Sequence, residues 1–210
     1  MRKGQQIQRV SRQIDVNNHT LTIEEHTELE NEAGAVVWDA ALVLLNYFCT
    51  DPGLLQGKRC IELGAGTGVV GLTAALLGAL VVLTDLPIYL SGLERNVQVN
   101  SLQSFVSVRE LQWGTDTDSF GPPFDVIIAS DLLYDMRSIP DLMLTIVSLS
   151  SSDTVTYLAF EVRPHVIRAA FQAMEAYGLK AEEVTQSQLH PDWQSDDIRV
   201  FKLKLPQLGL

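Results

Sequence analysis

The sequence predicts an α/β chain: a Rossmann-like, mostly parallel seven-strand sheet with an antiparallel last strand, preceded by an N-terminal β-hairpin. Three observations predict it. From Lys58 onward, apolar runs of strand length alternate with segments of helical length, the pattern of right-handed crossovers and a parallel sheet covered on both faces. The first of those runs, Cys60-Ile61-Glu62-Leu63, passes directly into Gly64-Ala65-Gly66-Thr67-Gly68, a glycine-rich turn that opens a helix. The last two strand-like segments, near 180–187 and 197–204, leave no room between them for a covering helix, so they pair antiparallel.

The elements follow in order. Gln6 to Ile14 and His19 to Glu25, joined by Asp15-Val16-Asn17-Asn18, read as a hairpin, because Asp and Asn supply the turn and Leu21 and Ile23 alternate with polar residues. Asn31 to Gly34 reads as loop. Ala35 to Cys49 reads as a helix with Trp38, Leu42 and Leu45 on one stripe, ended by Asp51-Pro52-Gly53. Strands are expected near 58–63, 80–84, 105–111, 124–129 and 154–160 besides the final pair, with helices at 68–77, 87–99, 136–149 and 164–177. The 210 residues fit one domain, with 1–34 as hairpin and loop and 35–210 as the core.

Composition narrows the function classes. A formal net charge of −11 at pH 7 repels phosphates over most of the surface and disfavours a nucleic-acid substrate. The longest apolar stretches are interrupted by Asp39, Asn46 and Gly78, so no membrane span is expected, and no apolar segment follows the basic N-terminus as a secretory signal would. Cys49 and Cys60 stand alone in apolar surroundings, as buried thiols of a reducing compartment do, which implies the cytoplasm and also the nucleus. Four scattered histidines have no metal-ligand spacing, and no metal is expected.

The glycine turn carries the chemistry. Gly64, Gly66 and Gly68 let backbone approach a ligand closely, since glycine accepts positive φ and has no Cβ. Asp85 closes the next apolar run, Leu80 to Thr84, where a carboxylate can take the hydroxyls of a ribose. Gly66-Thr67-Gly68-Val69-Val70-Gly71 also fits the dinucleotide fingerprint. The strand register favours a tight turn at Gly64-Ala65-Gly66 preceded by Glu62, which resembles motif I of S-adenosylmethionine-dependent methyltransferases. Further along, Asp131 and Tyr134 lie just past the carboxyl end of the fourth core strand, where open parallel sheets bind ligands. Trp38 and Trp113 are each open to a packing role or a ligand-facing one.

Taken together, Val37-Trp38-Asp39, Glu62 to Gly68, Asp85, Leu111-x-Trp113-Gly114 and Asp131-x-x-Tyr134 resemble, in order and spacing, the seven-strand protein-lysine methyltransferases of methyltransferase family 16. The resemblance runs from the hairpin to Leu203. It is fullest with members that act on the valosin-containing AAA ATPase, through residues 36–44, 81–86 and 195–198, and extends to members acting on Hsp70-type chaperones. It implies S-adenosyl-L-methionine as cofactor, held by Trp38, Glu62, Gly64, Ala65, Gly66, Gly68, Asp85, Trp113 and Ser130. Asp131 and Tyr134 would border the methyl group and the incoming amine, and Glu161-Val162-Arg163 would either line the substrate channel or form a surface ion pair at a strand end. Ser130 departs from the alanine usual there. The implied partner is a protein substrate, AAA ATPase or chaperone-like, and the enzyme a monomer with no nucleic acid or membrane partner. Two competing functions are methyl transfer to a small molecule or RNA, and non-catalytic cofactor binding. The Pro-Pro-aromatic motif of many nucleic-acid amino-methyltransferases is not found after the fourth strand.

Overall fold

The computed structural model describes residues 9–26 and 36–207. The expected start of the hairpin at Gln6, the loop Asn31 to Gly34 and the first helical residue Ala35 lie outside those residues. The hairpin is β1 (Arg9–Val16) and β2 (His19–His26), paired antiparallel in register from Arg9 with His26 to Val16 with His19. Asn17, at φ 51, makes its turn; Asn tolerates the left-handed region better than most residues.

The core alternates α1 (Asp39–Thr50), β3 (Arg59–Leu63), α2 (Val69–Leu76), β4 (Leu80–Asp85), α3 (Pro87–Val99), β5 (Val106–Glu110), β6 (Val126–Ser130), α4 (Ile139–Ser148), β7 (Val155–Glu161), α5 (Pro164–Ala176), β8 (Lys180–Glu183) and β9 (Ile198–Lys204). The sheet order is β5-β4-β3-β6-β7-β9-β8, with β9 antiparallel to both its neighbours and the rest parallel. The chain runs outward from β3 through β4 to β5, then returns to β6 on the other side of β3. That reversal opens a crevice at the carboxyl ends of β3 and β6. β3 and β6 are nearly continuous apolar runs because both of their faces are covered, one apolar cluster on each side of the sheet.

Three boundaries differ from the sequence expectation. Trp38 is the cap before α1, extended at φ −90 and ψ 155, so it leaves the apolar stripe; the helix starts at Asp39, whose charge suits a helix N-terminus. α4 begins at Ile139, immediately before Pro140, which has no N–H to donate and favours a first-turn position. β8 stops at Glu183 because Thr185 and Gln188 close a capping box on a short turn at Gln186–Gln188.

The hairpin is tied to the core through α3. Asn100 and Asn96, one helical turn apart, present their amides to β2 as a neighbouring strand would. Thr22 N–H donates to Asn100 Oδ1 (2.8 Å) and Glu24 N–H to Asn96 Oδ1 (2.9 Å), while the two Nδ2 groups donate to Thr22 O (2.8 Å) and Glu24 O (3.2 Å). Asn96 Nδ2 also donates to Thr67 O at 2.9 Å, inside the glycine turn. Farther along β2, Glu25 accepts Val37 N–H at 2.8 Å and fixes the segment ahead of α1.

Candidate active site

The turn after β3 follows from three left-handed residues, Gly64 (φ 55), Gly66 (φ 57) and Gly68 (φ 77), a region that costs an L-residue with a side chain roughly 1–2 kcal/mol. Their roles diverge. A Cβ on Gly64 would stand 2.7 Å from Leu132 Cδ2 and 3.0 Å from Trp113 Cζ2, so only glycine leaves room there. Gly68 caps α2, and a Cβ on it would meet Leu83 and Leu93 at 2.9 Å; it lets α3 pack and does not line the cleft. Ala65 N–H donates to Thr84 O (2.9 Å) and Gly68 N–H to Ala65 O (2.7 Å), which fixes the loop before any ligand arrives.

Asp85 completes the brace. Its Oδ2 accepts Gly66 N–H and its Oδ1 accepts Leu86 N–H, both at 2.7 Å. It also lines the cleft, and each oxygen keeps a second acceptor direction for a ligand hydroxyl. Burial raises its pKa, against the pull of those two N–H groups. Sequence reasoning assigned this acid to a ribose and missed the brace.

Glu62 is placed differently from the sequence expectation. It is 1% exposed, lies behind the turn rather than on the cleft, and its Oε2 accepts Gly71 N–H at 2.8 Å. β3 alternates, so an acid two positions before Gly64 points into the layer that α2 covers. Burial, reinforced by the negative charge of Asp85 and opposed by the Gly71 N–H, pushes its carboxyl up to about 8.

A second stretch of wall begins where β6 ends. Asp131 sits at φ 56, with its N–H donating to Ala159 O at 2.8 Å. Leu132 and Leu133 are buried in the core, Leu132 also reaching the cleft, where Asp131 and the 57% exposed Tyr134 stand. The Asp131 carboxyl is raised by burial, while the Glu161 backbone N–H and the Arg163 charge favour its ionised form; Glu161 and Asp39 carboxylates oppose it. Burial also raises the Tyr134 phenol, helped by Asp85 and Asp135. Arg163, at the start of α5, lines the cleft with its guanidinium 2.7 Å from Glu161 Oε2; Glu161 does not line it.

Trp38, Gly64, Ala65, Gly66, Asp85, Trp113, Ser130, Asp131 and Tyr134 therefore meet around one cleft of about 640 Å³, whereas Glu62 and Gly68 stand outside it. Tyr89, Ser138 and Asp141 line it too, and sequence reasoning passed over them. Asp141 comes into place because Gly114 (φ 79) packs its Cα against it and donates its N–H to Thr145 Oγ1 at 2.8 Å, one turn along α4. Tyr89 stands in the first turn of α3, four residues after Asp85, and that proximity was the available signal.

A glycine cradle, an adjacent acid and an indole over the turn fit a nucleoside-bearing ligand, and the acid-lined mouth suits a cationic group beside it. Residues 15–177 match the model of a family described as lysine methyltransferase. The chain is 37% identical over 189 residues to mouse protein N-lysine methyltransferase METTL21A, an alignment covering 88% of this chain and 83% of that protein. To EEF1A lysine methyltransferase 3 of Xenopus tropicalis it is 39% identical over 144 residues, 68% of this chain and 64% of that one. Among solved structures, the Thermus thermophilus 16S rRNA N2 G1207 methyltransferase superposes with a TM-score of 0.67 at 15% identity, over 96% of this chain and 52% of that one. The ribosomal protein L11 methylase of Lactobacillus delbrueckii subsp. bulgaricus gives 0.60 at 16% identity, over 80% and 77%; at such identities both speak for the fold alone. The family match and the curated relatives carry the rest: the chain belongs to the lysine methyltransferase family and is an S-adenosylmethionine-dependent protein-lysine methyltransferase.

Proposed function

We propose that Asp131 and Tyr134 receive the acceptor lysine at the mouth of the cleft, while Trp38, Gly64, Ala65, Gly66, Asp85, Trp113 and Ser130 hold the cofactor beneath it. The observation that carries this is the left-handed Asp131, which sets an acid and, three residues on, a phenol on the same cleft as the glycine turn. When bound, the cofactor supplies an electrophilic methyl group on a sulfonium.

The remaining work falls to the chain. A free lysine side chain has a pKa near 10.4, so at pH 7 only roughly one in a thousand is neutral, a deficit of about 5 kcal/mol. Asp131 orients the ammonium; an ordinary carboxylate is too weak a base to hold its proton. Tyr134 and Trp38 exclude water around the amine, and desolvation favours its neutral, nucleophilic form. Alignment of that lone pair with the methyl group is the main source of rate.

The finer substrate we favour is an AAA ATPase or an Hsp70-type chaperone, on the motif resemblance at 36–44, 81–86 and 195–198. A second candidate, elongation factor 1A, comes from the printed name of the EEF1A relatives. We also place the enzyme in the cytoplasm and nucleus as a monomer that takes no nucleic acid, a reading supported by its free thiols and its charge of −11.

Asn tolerates the left-handed region as Asp does, so Asp131→Asn tests the site without disturbing the backbone. Calorimetry should show cofactor binding within about twofold of wild type, and kcat/KM on the lysine acceptor should fall at least about tenfold. Full turnover with an unchanged pH profile would remove Asp131 from the site. The acceptor itself is found by incubating a cell lysate with the purified enzyme and methyl-labelled cofactor, then mapping the label by mass spectrometry. Label in an AAA ATPase or chaperone lysine supports the first reading, in elongation factor 1A the second, and in RNA neither.

A further inference from the structure

We infer that Glu161 is a positioning residue that holds Arg163 away from Asp131, so that the carboxylate stays open for the acceptor ammonium. The inference rests on the role given above to Asp131. Three observations carry it. Arg163 lines the same cleft as Asp131, across the β6–β7 edge, and is a cation inside a site that must admit a cation. Its Nη2 is held by Glu161 Oε2 at 2.7 Å, and Glu161 does not line the cleft. The Glu161 main chain meanwhile favours the ionised form of the Asp131 carboxyl. One residue thus acts on both partners, its main chain favouring the ionised acid and its side chain holding the competing cation.

Without the Glu161 carboxylate, the carboxylate nearest in charge effect to Arg163 is Asp131: the two already favour each other's ionised forms. Asp39, at the start of α1, is the other acid whose charge reaches Asp131, and Tyr134 is neutral at working pH. An intramolecular guanidinium on Asp131 would occupy the position where the lysine must sit. The 2.7 Å pair is also half-exposed, with side chains 39% and 52% accessible, so it is weak enough to be exchanged.

A double-mutant cycle tests this on the acceptor recovered in the labelling experiment. Glu161→Gln should raise KM about three- to fivefold with kcat nearly unchanged, the size expected when a partly exposed ion pair competes with substrate. Arg163→Met should alter KM by less than about twofold alone, yet return the Glu161→Gln enzyme to near wild type. If the two changes act independently, so that Arg163→Met has the same effect in both backgrounds, Glu161 is not a clamp. A crystal structure of the Glu161→Gln protein supplies a readout that needs no acceptor: Arg163 should lie within hydrogen-bond distance of Asp131, and a guanidinium left elsewhere overturns the inference. Asp131→Asn separates the two readings. If it keeps full turnover with an unchanged pH profile, the site assignment itself fails; if it lowers kcat/KM while the cycle is additive, only the clamp fails.

Discussion

Replacing Glu62 by Gln should make the protein more stable at neutral pH and remove one component of its pH dependence. The folded-state carboxyl lies at about 8, against an ordinary value of 4.5. Below pH 4.5 the acid is protonated in both folded and unfolded chains, and its contribution is fully present. Between 4.5 and about 8 the unfolded chain releases the proton and the folded one keeps it, so stability falls as pH rises, by about 1.4 kcal/mol per unit. The full difference has a ceiling of about 5 kcal/mol. A Gln carbonyl can accept Gly71 N–H as the carboxyl does, and its amide stands in for the protonated hydroxyl, so the variant keeps the contact and loses the titration. Urea unfolding of both cofactor-free proteins from about pH 5 to about pH 9 measures the gap. It should widen by at least about 2 kcal/mol with rising pH and level off above the folded value. Parallel curves would show that Glu62 is ionised in the fold and that burial does not dominate.

Three further outcomes are expected. Gly64→Ala places a Cβ 2.7 Å from Leu132 and 3.0 Å from Trp113 at φ 55; calorimetry should show cofactor affinity down by at least about tenfold, with thermal stability lowered by about 1–3 kcal/mol. Gly71→Ala drives a Cβ to 2.3 Å from Leu83 and 2.6 Å from Glu62 Oε2, both fully buried, so denaturant unfolding should show a loss of about 2–3 kcal/mol. Asn96→Ala removes the acceptor of Glu24 N–H and the donor to Thr67 O and Glu24 O; we expect about 2 kcal/mol lower stability and faster amide exchange in both β2 and residues 64–68.

The parts of the fold readable from the sequence are those that local chemistry decides. Alternating apolar runs marked the strands, glycines at forced positive φ marked the turn, and the short 184–197 connection marked the antiparallel finish. Residues that owe their position to a distant partner were harder to read. Glu62 looks like a ligand to the cofactor because it precedes the turn, yet its face of β3 is set by which helix covers it. Trp38 looks like part of an apolar stripe because it adjoins one, yet Glu25 of the hairpin fixes the chain before it. Asp141 enters the cleft only because Gly114, far away in sequence, lets α4 come close. In the candidate site, the acids at strand ends were legible since the ends of parallel strands converge; the clamp at Glu161 required knowing which way two side chains turned.

The amides of Asn96 and Asn100 make the hairpin a poor candidate for trimming. A single carboxamide satisfies a strand edge and a carbonyl of the cofactor turn at once, so shortening the protein to its core would strip that side chain of its strand partners beneath the cradle and untether the segment that carries Trp38. Anyone grafting new acceptor specificity onto this scaffold by exchanging N-terminal segments would be altering donor affinity as well, and should select on both together.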